Sequence, residues 1–451
     1  MPDLPDLSHI NLASLQQVLG VDLDATARSH AALSRARKYR TGLQILTSVM
    51  LYSACDYSLR EVAAEHTLKH QSVSDTAVLF RLKAACTWIQ WLTQTALTRL
   101  TPDGKPLLDG IQFIVYDASI ITSKANSDLQ YRLHLSMDLS RFQISDLGIT
   151  DIKTPESPLR LMRPQRSCWV SDRGNAHHPK LQATLEANED FLVRSHPRTL
   201  PVYEPETQKL LDWDKIVGGL KPGGMLTHKG VLPFVEMRGK KQKKRRLRWD
   251  KGQWNVTVYI YRLTDEASQR ARMRYRRRMS KKSKNITKTG LHWCDYVILV
   301  SSLSPELLDV KRAFELYRRR WQVELLFKRL KSVLDVDQLR TRKDSALAKT
   351  YLWAKMLYAL WIEHQAGALL RRERHCVTSS PLQTPWRIWK MLKRQLTSSL
   401  TATSQREPTR WNQALKALRE RKRRRKLHSP FPPETTHSIS FFETCGLARE
   451  P

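Results

Sequence analysis

The chain has 451 residues, enough for two or three domains and a large core, and 77 lysines and arginines against 43 acids give it a formal charge of +34. No ordinary metabolic enzyme needs that imbalance, which implies a polyanionic partner: nucleic acid first, an anionic membrane surface second. No apolar stretch reaches the ~18 residues of a spanning helix, and the first residues lack a signal-peptide pattern.

The six cysteines are widely scattered and show no paired spacing. This distribution argues against a zinc module or a disulfide framework and favours a reducing compartment. We therefore expect a cytoplasmic protein.

Residues up to about 100 are predicted to be helical. Ser58 and Glu61 form a capping-box pattern, and Ser74 precedes a second helical segment, TAVLFRLKAACTWIQWL. Two short helices around a turn are typical of a helix-turn-helix DNA-binding unit, and a plain helical bundle gives the same pattern.

From residue 111 the periodicity changes to that of strands. A short apolar run ends at Asp117, and two alternating segments, LQYRLHLSMDL and RFQISDLGITD, follow as antiparallel strands. Another short strand ends at Asp172, before a helical segment near 178–187 and a strand at 190–196. Three strands followed by a strand–helix–strand crossover predict a mixed α/β sheet.

Between about 200 and 292 the pattern breaks into short β-type runs rich in Gly, Pro and Trp. Residues 240–284 hold 18 lysines or arginines and three acids. A charge run is usually a solvated loop, but Trp249, Trp254 and Tyr275 interleave this one and favour a nucleic-acid surface.

The α/β pattern returns at 296–303. A helix is then predicted from about 305 to 334 and an amphipathic helix over about 345–371. Beyond them, RERKRRRK (419–426) and the breaker SPFPP (429–433) predict a loosely ordered basic tail.

The helix predicted at 305–334 is divided into two faces. Four polar residues at offsets of three, four and seven fall within roughly 60° of one another: Tyr317, Arg320, Glu324 and Lys331. The apolar residues lie on the far side: Leu316, Val323, Leu326, Leu330, Val333 and Leu334. The alternative is that Arg320, Glu324 and Lys328 form an ordinary ladder on a solvated helix.

Asp117 and Asp172 each end a short buried strand, where functional side chains gather in an open sheet. For either aspartate alone, an ordinary structural role, such as a turn, is the favoured interpretation. With Glu324 they make three carboxylates delivered from three elements to one sheet edge. Phosphodiester cleavage uses two divalent cations ~3.5–4 Å apart, and carboxylates without Cys or His suit Mg²⁺ or Mn²⁺ better than zinc.

The order Asp117, Asp172, Glu324 and the spacing Tyr-x2-Arg-x3-Glu-x6-Lys resemble bacterial DDE transposases of the insertion-sequence-four group, over roughly residues 30–370. The segment FLVRSHPR (191–198) is similar to the strand and basic turn that follow the second acid in that group.

The resemblance implies an α/β fold with an RNase H-like mixed sheet core at 106–199 and 293–342, interrupted at 200–292 by a β-rich basic insertion. We expect a helical DNA-binding domain at 1–105 and a helical C-terminal region with the basic tail at 343–451.

The resemblance also implies roles for the site residues. Asp117, Asp172 and Glu324 would bind two Mg²⁺ or Mn²⁺ ions, Arg320 and Lys331 would hold phosphates of the element's end, and Tyr317 would hydrogen-bond near the cut. Arg194 would be a further phosphate contact.

One aromatic residue of the group stacks a flipped base. Tyr296 matches its position, with Trp293 nearby, where the better-known pattern has tryptophan. The alternative is that Tyr296 packs the end of its strand.

The predicted function is that of a bacterial, nucleoid-associated transposase that cleaves the ends of its insertion sequence and joins the 3′-hydroxyls to target DNA. The route is cut and paste through a hairpin, by a homodimer on paired ends of double-stranded DNA. The alternatives are a metal-dependent DNA endonuclease or resolvase of the same fold and a non-catalytic nucleic-acid-binding protein.

Overall fold

The computed structural model describes most of the chain. The described residues are 11–100, 107–123, 130–154, 161, 166–238, 244–341, 346–376 and 385–401. The predicted basic tail, with its segments at 419–426 and 429–433, lies outside them.

Six helices lie within the described residues 11–100. Two of the predicted helix starts are confirmed: Ser58 and Glu61 form a reciprocal capping box, and Ser74 accepts the N–H of Ala77. The segment after Ser74 is divided at Ala85 rather than continuous. The helices are α1 (Leu12–Leu19), α2 (Leu23–Ser29), α3 (Gly42–Ser53), α4 (Leu59–Lys69), α5 (Asp75–Ala84) and α6 (Cys86–Leu100).

A mixed sheet of nine strands follows, which confirms the predicted α/β class. Its order is β3-β2-β1-β4-β5-β8-β7-β6, with β9 paired to the end of β1. The strands are β1 (Gln112–Ser123), β2 (Gln130–Asp138), β3 (Gln143–Asp151), β4 (Ser167–Ser171), β5 (Asp190–Ser195), β6 (Met225–Arg238), β7 (Lys244–Arg262), β8 (Tyr296–Ser301) and β9 (Gln338–Leu339).

The first five strands have a simple topology. β1, β2 and β3 form an antiparallel meander, and β4 and β5 continue from β1 in parallel. The helix α7 (His178–Glu186) connects β4 to β5, as a parallel pair requires a crossover.

Residues 200–292 contain one long hairpin and a basic helix. β6 and β7 form the hairpin, and β7 pairs with β8, so the hairpin extends the sheet. The pairing register shifts between Pro233 and Phe234. The segment expected to be β-rich also holds α8 (Trp213–Val217), the helix α9 (Asp265–Lys281) and α10 (Lys288–His292).

Four helices complete the described chain: α11 (Val310–Arg319), α12 (Trp321–Leu334), α13 (Ala346–Cys376) and α14 (Pro385–Thr401). Within the described ranges, no helix combines the length and apolar character needed to cross a membrane.

One hydrophobic core connects the N-terminal helices, one face of the sheet and the later helices. Leu92 of α6, Val115 of β1, Val323 of α12 and Trp361 of α13 all belong to it and are at most 1% exposed. The helices before residue 105 therefore share their core with the sheet, and their assignment as a DNA-binding domain stays a prediction.

Candidate active site

Asp117 and Asp172 lie at the same level of two adjacent parallel strands. Asp172 directly follows β4 as predicted, but Asp117 is inside β1, where it pairs with Leu135 of β2. The predicted strand end at Asp117 is therefore wrong, because pairing with β2 overrides the turn preference of aspartate. Val115 pairs with Val170, and each aspartate comes two residues later. Because alternate residues share a face and strands are about 4.8 Å apart, both carboxylates project from the same face.

The helix predicted at 305–334 begins later and has a break. Asp309 accepts the N–H of Arg312 at the start of α11. Arg320 joins α11 to α12 and keeps helical angles (φ −49°, ψ −34°), but its N–H donates to Tyr317 O at 3.1 Å, three residues back. This single tighter turn leaves the polar neighbours in contact: the Arg320 guanidinium lies 5.7 Å from the centre of the Tyr317 ring and donates to Glu324 Oε1 at 2.5 Å.

The apolar face of this helix pair packs on the sheet as predicted. The residues expected there are all buried: Leu316, Val323, Leu326, Leu330, Val333 and Leu334. Val323 and Leu326 share a core with Val115 and Val170. Glu324, in the first turn of α12, is therefore carried by the helix that covers the face from which both aspartates project.

The three carboxylates act on one another electrostatically. The pKa of Asp117 is raised from 3.8 to about 6, chiefly because burial desolvates the carboxylate, and the charges of Asp172 and Glu324 raise it further. The N–H of Ala118 and the Arg320 guanidinium oppose this rise. Repulsion of this kind marks a place where a cation would be stabilising.

The carboxylate oxygens suit a hard divalent cation, although the three acids do not form a complete coordination site. Among the described residues, no group of three or more His, Cys, Asp and Glu side chains is close enough to hold one ion. Glu324 is engaged by Arg320, and Asp172 accepts the N–H of Gly174. The set itself, three carboxylates with one desolvated by burial and crowded by like charge, supplies the oxygen ligands that Mg²⁺ prefers.

Cationic groups surround the acids. Burial raises the pKa of the Tyr317 phenol, and the charge of Arg194, a residue of β5, partly opposes this rise. Arg194 therefore lies near Tyr317. The Nε atoms of Arg194 and Arg320 are buried and have no hydrogen-bond partner among the described residues. Two unpaired guanidinium donors beside three acids provide a place for an additional anion.

The structure adds two residues that the sequence did not single out. Burial lowers the pKa of Arg173, and the charges of Arg194 and Arg278 lower it further. The pKa of His196 falls to about 4, because of burial and then of Arg173, Arg198 and Arg194. Arg173 follows Asp172 directly and His196 belongs to FLVRSHPR, so adjacency to an acid and a basic turn were the available signals.

Two predicted residues remain, Lys331 and Tyr296, and their roles at the site stay predictions. Lys331 is in the last turn of α12 and is partly buried. Tyr296 begins β8 and is only 9% exposed, because it packs in a core beside Trp293, 5.7 Å away between ring centres. Trp293 is more exposed than Tyr296. The centre of its ring lies 6.2 Å from the centre of the His196 ring, in an edge-on arrangement.

The aromatic residues of the basic segment contact other side chains of this chain. The Trp249 ring meets Tyr203 edge-on at 5.3 Å, and Trp254 stacks on Phe234 at 6.0 Å. Tyr275 lies on α9, with its hydroxyl 3.4 Å from Thr287 Oγ1. A nucleic-acid surface built from these three rings stays a prediction.

Comparison with known proteins relates the chain to transposases. Residues 225–360, which include Glu324, match the family described as Transposase DDE domain. The chain is 28% identical over 361 residues to the putative transposase InsL for insertion sequence element IS186A of Escherichia coli K12, covering 79% of this chain and 94% of that protein. It is 28% identical over 362 residues to the transposase for insertion sequence element IS421 of Escherichia coli, with the same coverage.

Among solved structures, the chain is similar to a piggyBac transposase in a synaptic complex with hairpin DNA, at a TM-score of 0.40 and 10% identity. The alignment covers 95% of this chain and 88% of the other. The sequence matches support an enzyme of the DDE transposase type, with DNA cleavage and strand transfer as its activity.

Proposed function

We propose that this chain is a transposase of the insertion-sequence-four group that cuts its own element from DNA and joins the freed 3′-hydroxyls to a target. The observation that carries the proposal is the strand register: Val115 pairs with Val170, so Asp117 and Asp172 share a level and a face under the helix that holds Glu324. The strand order of β1–β5 supports an RNase H-like core for this chemistry.

In this proposal Asp117, Asp172 and Glu324 hold two Mg²⁺ or Mn²⁺ ions. Such ions, when bound, stabilise both the entering and the departing oxygen of an in-line displacement at phosphorus. Glu324 would turn from Arg320 toward them, which frees the guanidinium for a phosphate oxygen.

The chain's own residues then position the DNA. Arg194 and Arg320 offer buried unpaired N–H groups to the scissile phosphate and its neighbour. Arg173 adds a guanidinium beside Asp172, and Lys331 reaches a phosphate about two turns along α12. The Tyr317 hydroxyl, whose pKa is raised by burial, stays protonated and donates a hydrogen bond near the cut.

Four successive displacements complete the proposed reaction. Water attacks the phosphodiester at the element's end and releases a 3′-hydroxyl. That hydroxyl attacks the opposite strand and forms a hairpin, a second water reopens it, and the hydroxyl finally attacks target DNA. Each step breaks one P–O bond and makes one, with a proton leaving the nucleophile, so no covalent protein–DNA intermediate is required.

The test uses purified protein, Mg²⁺, a duplex that carries the terminal sequence flanking the reading frame, and a plasmid target. We expect cleaved ends, a hairpin and joined products from the wild type, and none of these from Asp117→Ala, which should still bind the duplex. Hydrolysis without joining would favour an endonuclease or resolvase instead. Unchanged activity of Asp117→Ala would refute the assignment of this site.

A further inference from the structure

The helix α9 is a charged feature that the proposed chemistry does not use. It runs from Asp265 to Lys281, and of its residues only Ser268 is buried. Arg272 of α9 forms a bidentate ion pair with Asp295, in which Arg272 Nε lies 2.9 Å from Asp295 Oδ1. Asp295 directly precedes Tyr296 and β8, so α9 is anchored beside the candidate active site.

One flank of α9 carries a continuous row of cations. At 100° per residue, five exposed residues at offsets of four, seven, eight and eleven fall within an arc of about 100° and span about 16 Å. We call this row the α9 flank: Arg270, Arg274, Arg277, Arg278 and Lys281. Arg276 is exposed on the opposite side of the same helix.

The flank has no internal counter-charge. None of its five members forms an ion pair with an acid in the described part of the chain, whereas Arg248 in the hairpin bonds both Asp250 and Glu236. Like charges four residues apart destabilise a helix. A bound anion would remove this repulsion, so the row is a surface on which an external polyanion is favourable.

The flank also leads toward the acids. Arg278 is close enough to Arg173 for the two charges to interact, and Arg173 is the residue after Asp172. The charge of Arg194 also acts on Arg173. The cations therefore continue from the acid cluster, through Arg173 and Arg278, along the flank.

We propose that the α9 flank binds the phosphate backbone of duplex DNA next to the cut, which rests on the proposed function. A duplex presents one phosphate per 3.4 Å along each strand, so a row of about 16 Å faces a run of several phosphates. Four of the five cations are arginines, whose planar fork suits phosphate oxygens. This contact involves no base edges, so the binding is independent of the DNA sequence beside the element's end.

The test compares Arg274→Gln with Arg276→Gln, two exposed arginines of one helix on opposite sides. Binding to a random-sequence duplex of about 30 base pairs is measured against salt, where each lost phosphate contact lowers the slope of log K on log salt by about 0.9. We expect that decrease for Arg274→Gln, none for Arg276→Gln, and roughly three times as much for Arg270→Gln, Arg274→Gln and Arg277→Gln combined. Thermal midpoints should not fall, and those of the variants that lack Arg274 should rise slightly, because like-charge repulsion along the helix is removed.

Equal slopes for the two single variants would mean that only overall charge matters, and this would overturn the proposal. So would a triple variant with the wild-type slope. Because the duplex is uncut and the buffer contains EDTA, the slope comparison is independent of strand joining. If the variants show no loss of salt dependence but the wild type still cleaves and joins element ends, only the role of the α9 flank is refuted and the proposed function is retained.

Discussion

Replacing Asp117 by asparagine should stabilise the metal-free protein while abolishing its activity. The pKa of Asp117 is raised from 3.8 to about 6 in the fold, so the ionised form is unfavourable there. The folded state then binds more protons than the unfolded state between these values, and stability falls as pH rises through them. Asparagine has nearly the same shape, can still accept the Ala118 N–H, and removes this cost at neutral pH.

The size of the effect follows from the two pKa values. Linkage gives a cost for the carboxylate of about 3 kcal/mol at pH 7.5 and about 1.5 kcal/mol at pH 5, and almost none below its unfolded pKa. Residual solvent contact reduces these figures. We expect Asp117→Asn to be more stable than the wild type by roughly 1–3 kcal/mol at pH 7.5 and by about half as much at pH 5.

The assay is urea unfolding of both proteins in EDTA at the two pH values, repeated with Mg²⁺. Ion binding to the native state should stabilise the wild type, by about 2.7 kcal/mol at a hundred times its Kd, and leave Asp117→Asn unaffected. Asp138→Asn is the matched control, since burial also raises the pKa of Asp138 outside the cluster. It should keep cleavage and the Mg²⁺ response. An Asp117→Asn variant no more stable than wild type at pH 7.5 would refute the reasoning.

Two other predictions concern α12, the helix that carries Glu324, and a third concerns Lys355 on α13. Glu324→Gln should reduce cleavage by at least about 100-fold without weakening the binding of a random duplex, and retained cleavage in a plasmid nicking assay would contradict its role. Leu330→Ala, at a fully buried position, should lower the free energy of unfolding by about 2–5 kcal/mol, as measured with urea. Lys355, whose pKa burial lowers to about 8, loses its proton in the fold before it does in the unfolded chain. Wild-type stability should therefore rise between pH 8 and pH 10 relative to Lys355→Met, and parallel stability curves would exclude this.

Elements with strong local periodicity could be predicted from the sequence. The meander β1–β3, the crossover through α7 and the buried face of α12 follow from alternation, apolar spacing and capping residues. The end of β1 could not be found in this way, because Asp117 is held in the strand by its pairing with Leu135 of β2. The local preference of aspartate favours a turn, but pairing with a residue of another strand keeps Asp117 in β1.

The basic segment shows a second kind of difference. The sequence predicts a solvated loop or a nucleic-acid surface for its arginines. Arginine is also a good helix former, and residues 265–281 form a helix with Asp265 and Glu266 in its first turn. The cluster of Arg173, His196 and Arg278 depends on three elements that meet only after folding. No spacing in the sequence encodes such proximity.

The position of the short strand β9 late in the chain affects when the three acids can come together during synthesis. It follows α12 almost at once and pairs with Thr122 and Ser123 at the end of β1, so the segment bearing Glu324 is tied back to the strand bearing Asp117 only after most of the chain exists. The β1–β3 meander is built from local contacts and is expected to form early, whereas the proposed catalytic centre can form only after α12 has been made. A nascent or truncated polypeptide that stops before α12 would carry two acids without the third. Under the proposed function, such a polypeptide should not cleave DNA.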